Sequence, residues 1–281
     1  DKIICGATST LNDSTSYKQI IYKYKGRDLS STDSISFKMF NNLIEGIKMF
    51  QENNLCHRDI KEQNILDLDK RYVFIDFGLS CKLDEVFSID NETILFHPYI
   101  YYPPEFKIFI IMKKLLASDE TYYESPERLI NDIFEELEIR EYFKQYAHYK
   151  SDLKSIGVYK SRKGDVYNAI YTIVNDTIAT NMSAVNTKKY FKKIATKVDI
   201  FSLGIVLFLL TNNNDEISFN EKEHLNKIIK QCIHMNVFER CTIDELILEF
   251  KLFLGKTNIP QHCTKHFSLA TLKSLAKKHK M

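Results

Sequence analysis

The 281-residue chain is poor in glycine, with only 8 residues, and it contains no tryptophan. Glycine makes up about 3% of the chain, against about 7% in an average protein. No two glycines have the spacing of the G-x-G-x-x-G fingerprint or of the G-x-x-x-x-G-K-[ST] P-loop. Both of these phosphate-binding loops are therefore absent from the sequence, and so are collagen-like repeats and Gly/Ser linkers.

Paired cysteines and long hydrophobic runs are also missing. The six cysteines include no C-x-x-C pair, which in a chain of this length predicts reduced thiols. The longest apolar run, Ile200–Leu210, is too short to cross a bilayer, and no signal peptide is visible. We therefore expect a soluble, intracellular (cytoplasmic) protein without a transmembrane segment.

The charge is nearly balanced, with a formal net charge of +2, but its distribution is uneven. Residues 251–281 hold seven lysines and no acidic residue. A basic tail of this kind suits an anionic surface, yet a solvated tail is the simpler interpretation. We predict no nucleic-acid site.

The apolar pattern predicts a mainly helical, α+β protein. Apolar residues recur at three- and four-residue spacing over Ser34–Asn53, and Ser125 followed by Pro126 is typical of a helix start. The remaining predicted elements are helices and short strands. The helices are at Val198–Leu210, Glu223–His234, Thr242–Leu254 and Ser268–Lys278, and the strands are at Lys18–Tyr24, Ile65–Leu66 and Tyr72–Ile75.

Two motifs follow the first predicted helix. The loop from His57 to Asn64 reads H-R-D-I-K-E-Q-N. A predicted hairpin follows the loop, and the D-F-G motif, Asp76 to Gly78, comes directly after the hairpin. Helix, H-R-D-x-x-x-x-N loop, hairpin and D-F-G together resemble the catalytic centre of the eukaryotic-type protein kinases, with a serine/threonine-like lysine at position 61. The seven residues that the two motifs specify all occur at the family's spacing, which makes the resemblance specific.

The resemblance implies phosphoryl transfer from Mg-ATP to a Ser or Thr hydroxyl of a protein substrate. Asp59 would accept the hydroxyl proton, and Lys61 would stabilise the charge of the γ-phosphate. Asn64 and Asp76 would hold Mg²⁺ ions on the ATP phosphates, since oxygen ligands suit Mg²⁺. ATP and Mg²⁺ are the implied cofactors.

Other matching residues have structural roles in the family. By the resemblance, His57 would pack under the turn of Phe77 and Gly78, and Asp199 would hydrogen-bond the loop backbone. Arg58 would either bind a phosphorylated residue or form a local salt bridge, and both alternatives stay open. The candidate phosphorylation sites in this segment are Ser80, Ser88 and Thr93.

The end of the activation segment and a late arginine complete the resemblance. Tyr101-Tyr-Pro-Pro-Glu105 matches the family's A-P-E region, and Asp199-Ile-Phe-Ser-Leu-Gly204 matches its D-x-W-S-x-G helix. Arg240 matches the arginine that pairs with the A-P-E glutamate. We therefore predict an ion pair between Glu105 and Arg240.

The sequence departs from the family in three main places. Lys18–Leu29 resembles the last strand and hinge of the small lobe, so the glycine-rich loop and the ATP-anchoring lysine are missing. A partner chain or an N-terminal segment outside this sequence would have to complete the ATP site. His97 and Pro98 replace a Gly-Thr pair, whose hydroxyl bridges the catalytic Asp and Lys in the family. A long insertion separates Glu105 from Asp199.

The resemblance predicts a kinase-like C-terminal helical lobe with a small β-hairpin region and a large helical insertion. The expected parts are a small-lobe remnant and hinge at 1–29, the catalytic segment at 30–105, the insertion at 106–197, late helices at 198–255 and a basic tail at 256–281. The alternative function is a weak or inactive kinase-like scaffold that binds partners through the insertion.

Overall fold

The computed structural model describes residues 26–32, 35–68, 71–87, 99–139, 149–155, 162–179 and 184–257. The protein is mainly helical, as the apolar pattern predicts. Within the described residues the α-helices are α1 (Phe40–Glu52), α2 (Pro104–Ser118), α3 (Pro126–Ile139), α4 (Lys150–Ser155), α5 (Arg162–Val174), α6 (Ala184–Ala195), α7 (Val198–Asn212), α8 (Phe219–Cys232) and α9 (Ile243–Thr257).

Within the same described residues, short strands form two small antiparallel sheets. The strands are β1 (Arg27–Asp28), β2 (Leu55–Cys56), β3 (Ile65–Asp67), β4 (Tyr72–Phe74) and β5 (Cys81–Lys82). One sheet has the order β1-β3-β4, and β2 pairs with β5 in the other. The hairpin of β3 and β4, with Ile65 opposite Phe74, confirms the predicted hairpin before the D-F-G motif.

Gly26 is required where the chain enters β1. Its φ is +150°, and a Cβ at this position would lie 2.3 Å from the carbonyl oxygen of Asp67. Only glycine can approach the neighbouring strand this closely. The rest of the predicted small-lobe remnant, up to residue 25, lies outside the described residues.

Helix α7 forms the centre of the protein, as its apolar sequence predicts. Every residue except Leu209 and Asn212 is buried. Helix α8 packs directly on it, and Gly204 allows the close approach, because a Cβ there would lie 2.5 Å from the Cβ of Cys232. A protein interior has no space to absorb such an overlap.

The helical stretch Lys188–Asn212, which runs from α6 through α7, is long and apolar enough to cross a membrane. However, 83% of its most apolar window is buried inside the protein. This burial is what the core helix of a soluble protein shows.

Helix α1 supports the loop that carries the first motif. Its predicted apolar face is confirmed: Phe40, Leu43, Ile44 and Ile47 are all fully buried. The helix packs against β4 on one side and α9 on the other. It begins later than predicted, because Phe37–Met39 forms a 3₁₀ turn before it.

The segment predicted as an insertion is a set of packed helices. Helix α3 begins at Pro126, as predicted, and packs against α2 and α5. Helices α2 and α5 were not among the predicted elements. Residues 104–112 of α2 are buried without exception, so this helix lacks the polar face that a 3.6-residue period needs. The basic tail lies outside the described residues from position 258 onward.

Candidate active site

The loop with the first motif is anchored to the start of α7. The backbone N–H of His57 donates to Oδ2 of Asp199 at 2.7 Å, and the N–H of Arg58 donates to Oδ1 at 3.0 Å. Asp199 is only 3% exposed, so these are buried, charge-assisted hydrogen bonds. The predicted contact of Asp199 with the loop backbone is confirmed. Arg58 has a φ of +68°, an unfavourable conformation that this anchor helps to hold.

The carboxylate of Asp59 is where the side chains of the loop converge. Lys61 Nζ lies 2.8 Å from Asp59 Oδ2, and Asn64 Nδ2 donates to the same oxygen at 2.7 Å. Asn64 Nδ2 also donates to the main-chain oxygen of Asp59 at 2.8 Å. The structure therefore brings together three of the residues that the sequence singled out.

Tyr99 completes the surroundings of Asp59, and the sequence analysis did not predict it. Its hydroxyl donates to Asp59 Oδ1 at 2.7 Å. Burial, and next the hydrogen bond and charge of Asp59, raise the pKa of Tyr99 well above its usual range, so the phenol stays a donor. Pro98 stands where the kinase pattern has a threonine, so it has no hydroxyl to offer to Asp59. The hydroxyl of the next residue, Tyr99, was the feature of the sequence that could have predicted this contact.

Glu62 belongs to the same loop and binds a second tyrosine of the segment, Tyr101. The hydroxyl of Tyr101 donates to Glu62 Oε2, and Ser202 of α7 donates to the main-chain oxygen of Tyr101 at 2.9 Å. Burial raises the pKa of Glu62, while the hydrogen bond from Tyr101 opposes this shift. These contacts hold the 99–102 segment over the loop.

Asp76 directly follows the residue that pairs with Asn64 at the end of the β3–β4 hairpin. The N–H of Ile75 donates to the main-chain oxygen of Asn64 at 3.0 Å. Asp76 follows in a left-handed conformation, with φ of +61°, and its exposed carboxylate accepts one hydrogen bond, from the N–H of Gly78 at 3.3 Å.

Asn64 and Asp76 are the residues that fit a Mg²⁺ ion here. The amide nitrogen of Asn64 is committed to Asp59, which leaves its side-chain oxygen, and Asp76 has a carboxylate oxygen outside its bond to Gly78. Mg²⁺ prefers a few such ligands, with waters and phosphates completing its shell. No group of three or more His, Cys, Asp or Glu side chains suited to a metal occurs within the described residues.

His57 has a structural position, as predicted. Its Nδ1 accepts from the N–H of Asp59 at 3.3 Å, and its Nε2 lies 3.1 Å from the oxygen of Ile75. These two contacts fit a neutral ring with the proton on Nε2. The ring centroid lies 4.9 Å from that of Phe77, whose side chain is itself 47% exposed.

The guanidinium of Arg58 is buried without a carboxylate partner among the described residues. It donates weakly to the oxygen of Leu79 at 3.4 Å and lies over the ring of Phe106 at 5.6 Å, and its Nε has no partner. The predicted local salt bridge is therefore not seen in this part of the chain. Ser80 donates to the oxygen of His57 at 3.3 Å. Ser88, Thr93, His97 and Pro98 lie outside the described residues.

The predicted ion pair between Glu105 and Arg240 is confirmed. The two terminal nitrogens of Arg240 contact the two carboxylate oxygens of Glu105, at 2.6 and 3.1 Å. Arg240 also donates to the main-chain oxygen of Lys197 at 3.0 Å, and it stacks on Phe201 at 4.8 Å. The pair thus joins the start of α2 to the turn before α9, and the bond to Lys197 ties this turn to the residue before α7. The role of the pair is structural.

A cleft of about 400 Å³ lies between Glu62 and Gln63 of the loop, Tyr101, the segment 29–35 and the residues at the end of α7. Among the described residues, its lining carries three carboxylates and no lysine or arginine. The lining residues are Leu29, Ser30, Thr32, Ile35, Glu62, Gln63, Tyr101, Leu210, Asn213, Asn214, Asp215 and Glu216. The described part of the lining is therefore acidic.

No family model matches the chain, and a search of curated protein sequences finds no match either. Function is therefore inferred from the residues of this site.

Proposed function

We propose that the protein transfers the γ-phosphoryl group of ATP to a Ser or Thr hydroxyl of a protein substrate, as a serine/threonine-type protein kinase. The observation that carries this proposal is the carboxylate of Asp59. It lies on a loop that Asp199 anchors, and it receives both Lys61 and Asn64. A fixed acceptor next to a fixed positive charge is what phosphoryl transfer needs from a protein.

In this function Asp59 orients the acceptor hydroxyl and takes its proton. The carboxylate offers about four lone-pair sites, and three donors already hold it in one orientation. An acceptor hydroxyl on a remaining lone pair is held in position, and fixed orientation of this kind lowers the barrier of the reaction. The protein thus contributes mainly by positioning.

Lys61, beside Asp59, neutralises the negative charge of the γ-phosphate. Its ammonium is half-buried against Asp59, so it is less screened than a surface lysine. Asn64 and Asp76 would hold Mg²⁺ from the edge of the hairpin. When bound, the ion neutralises the phosphate oxygens as negative charge develops on the leaving group.

The proposed function implies a kinase-like large lobe in a cytoplasmic protein. The support is the order of the elements: the helix α1, the loop, the hairpin and the Asp76–Gly78 turn follow one another as the family pattern requires. A partner chain or an N-terminal segment would supply the glycine-rich loop and the anchoring lysine, and the helices of 106–197 remain the proposed insertion.

The cleft beside Glu62 supports a protein substrate. It begins on the loop that carries Asp59 and is lined by acidic side chains. A peptide with lysine or arginine near its acceptor serine fits this charge. We expect such a peptide to be used in preference to the same peptide with glutamate at those positions.

The test is the transfer of labelled phosphate from ATP to a basic protein by the full-length protein, with Asp59→Asn beside the wild type. Loss of a general base typically lowers the rate by about 10²- to 10⁴-fold. Asp244→Asn is the matched control, since Asp244 is exposed and contacts only Lys48 among the described residues. Equal transfer by the wild type and Asp59→Asn contradicts the proposal and leaves the scaffold alternative.

A further inference from the structure

A groove of about 360 Å³ lies between the turn before α1, the loop that joins α7 to α8, and the end of α9. Most of its described lining is apolar, and four of these five side chains are only partly buried. The apolar lining residues are Ile35, Phe37, Ile217, Phe253 and Leu254. Side chains of this kind gain free energy when a partner removes the rest of their apolar surface from water.

We propose that the tail of the chain, residues 258–281, folds back and docks in this groove. Helix α9 ends at Thr257, three residues after the groove residue Leu254, so the tail begins beside the groove. Pro260 disfavours a continuation of α9, because proline cannot donate the helical hydrogen bond. The ten residues from Thr257 to Phe267 span up to about 33 Å when extended. The apolar part of the tail can therefore reach every part of the groove.

The apolar pattern of the tail fits the apolar lining of the groove. The sequence predicts an amphipathic helix at Ser268–Lys278. Leu269, Leu272 and Leu275 recur along it at three-residue spacing, and Phe267 comes just before it. A helix of this length is marginal alone in water, so its apolar face needs a surface to pack on. The groove offers such a surface at the point where the tail leaves α9.

The charges of the tail and of the groove are opposite in sign. The tail contains five lysines and no acidic residue. Among the described lining residues of the groove, Glu216 and Glu221 outnumber the one lysine, Lys38. The cleft beside Glu62 shares Glu216 with the groove and adds the carboxylate of Asp215. Opposite charge favours the basic tail over an acidic partner in this place.

The covalent connection favours the tail over a separate molecule. A short flexible linker holds a tethered segment near its site at an effective concentration of about millimolar. A foreign partner or a second copy of the chain has to reach the groove from solution and compete with this local concentration. Docking of the tail is independent of the proposed function, and its test needs neither ATP nor a substrate.

The experiment uses the absence of tryptophan from the chain. Phe267→Trp in the full-length protein places a single fluorescent reporter in the tail. We expect blue-shifted emission that acrylamide quenches poorly, because the indole is buried against the groove. The emission should not change on dilution, since the contact is within one chain. An exposed, freely quenched indole overturns the proposal and leaves a solvated tail, and burial that is lost on dilution overturns it in favour of a second copy.

Two matched pairs of variants, made in the Phe267→Trp protein, locate the buried indole. In the tail, Leu275→Glu should shift the emission to that of an exposed indole. The neighbouring Ser274→Glu adds the same charge away from the leucines of the predicted helix and should cause no shift. In the groove, Ile217→Glu should act like Leu275→Glu. Leu248→Glu should not, because Leu248 is exposed on α9 and is not a lining residue.

Two outcomes assign the tail to another place. A shift with Leu275→Glu but not with Ile217→Glu, in a protein whose circular dichroism matches the parent, overturns docking in this groove. Emission that becomes blue-shifted only after addition of phosphatidylserine vesicles overturns it as well, because the tail then binds an anionic membrane surface. Equal shifts with Leu275→Glu and Ile217→Glu, with both controls unchanged, support the proposal.

Discussion

Arg240 and Glu105, which are 135 positions apart in the chain, form a buried, bidentate ion pair. Each residue is only 1% exposed. The guanidinium is in addition bound to two main-chain oxygens, those of His234 and Lys197. Its removal therefore disturbs several elements at once.

We expect Glu105→Ala to lower the free energy of unfolding by about 3–5 kcal/mol, because it leaves the charge of Arg240 buried without its partner. Urea unfolding of both single variants and the double variant gives the coupling energy. The exposed pair of Lys48 and Asp244 is the control, and its removal should change stability little. The absence of coupling between positions 105 and 240 would contradict this account.

A second prediction concerns the anchor of the loop. Asp199→Asn keeps one oxygen acceptor but turns an amide N–H₂ toward a backbone donor, so one of the two N–H groups loses its partner. We expect a loss of about 1–3 kcal/mol in unfolding free energy. We also expect about 10²-fold slower phosphate transfer, since Asp59 follows the anchored residues directly.

Asp244→Asn is the matched control for the anchor. Both aspartates are the second residue of a helix, but the side chain of Asp244 is 78% exposed. The control should leave both stability and transfer nearly unchanged. Phosphate transfer by Asp199→Asn at the wild-type rate would contradict the prediction that the hydrogen bonds of Asp199 to the loop are needed for transfer.

A third prediction concerns the metal. Asp76→Ala should abolish the Mg²⁺-dependent part of ATP binding by the full-length protein, measured by calorimetry with and without Mg²⁺. It should change stability little, because the carboxylate is exposed and its hydrogen bond within the described residues is to Gly78. Unchanged Mg-ATP binding would rule out Asp76 as a ligand.

A fourth prediction concerns pH. Burial raises the pKa of Glu62 above its ordinary value of 4.5. Such a group stabilises the fold below its ordinary pKa, and this contribution is lost as pH rises through the folded-state pKa. A glutamine side chain carries no charge to desolvate and can still accept the hydrogen bond from Tyr101, so Glu62→Gln should gain stability relative to the wild type as pH rises.

Urea unfolding at several pH values, from below the ordinary pKa of glutamate up to neutrality, measures this difference. Glu216→Gln is the control, because Glu216 is exposed. Glu221 is less suitable, because its side chain caps helix α8. A stability difference between Glu62→Gln and the wild type that does not change with pH would contradict the prediction.

The sequence predicted those helices whose pattern of apolar residues fits only one kind of secondary structure. Helix α1 has one apolar face and α7 is almost wholly apolar, so the sequence predicted both helices. Helix α7 starts at the predicted Val198, whereas α1 starts at Phe40 rather than at Ser34. Helix α2 was missed, because its first turns are buried on all sides and carry no amphipathic period. Helix α5 was missed as well, in a segment without a motif to point to it.

The candidate site divides in the same way. The resemblance predicted the contact of Asp199 with the loop and the pair of Glu105 and Arg240, since both depend on residues that the motifs name. Tyr99 could not be assigned, because its position on Asp59 depends on how the 99–102 segment returns across the loop. The bond between Tyr101 and Glu62 likewise needs both segments in place.

By itself, the sequence determined the helical class, the apolar centre of the protein and the residues that carry the proposed chemistry. These follow from composition, periodicity and motifs, which are local properties of the chain. Only the tertiary structure decided what shares the carboxylate of Asp59. The atoms that meet there come from position 59, from Lys61 and Asn64 nearby, and from Tyr99, forty positions away, and folding alone brings the last of these within 2.7 Å.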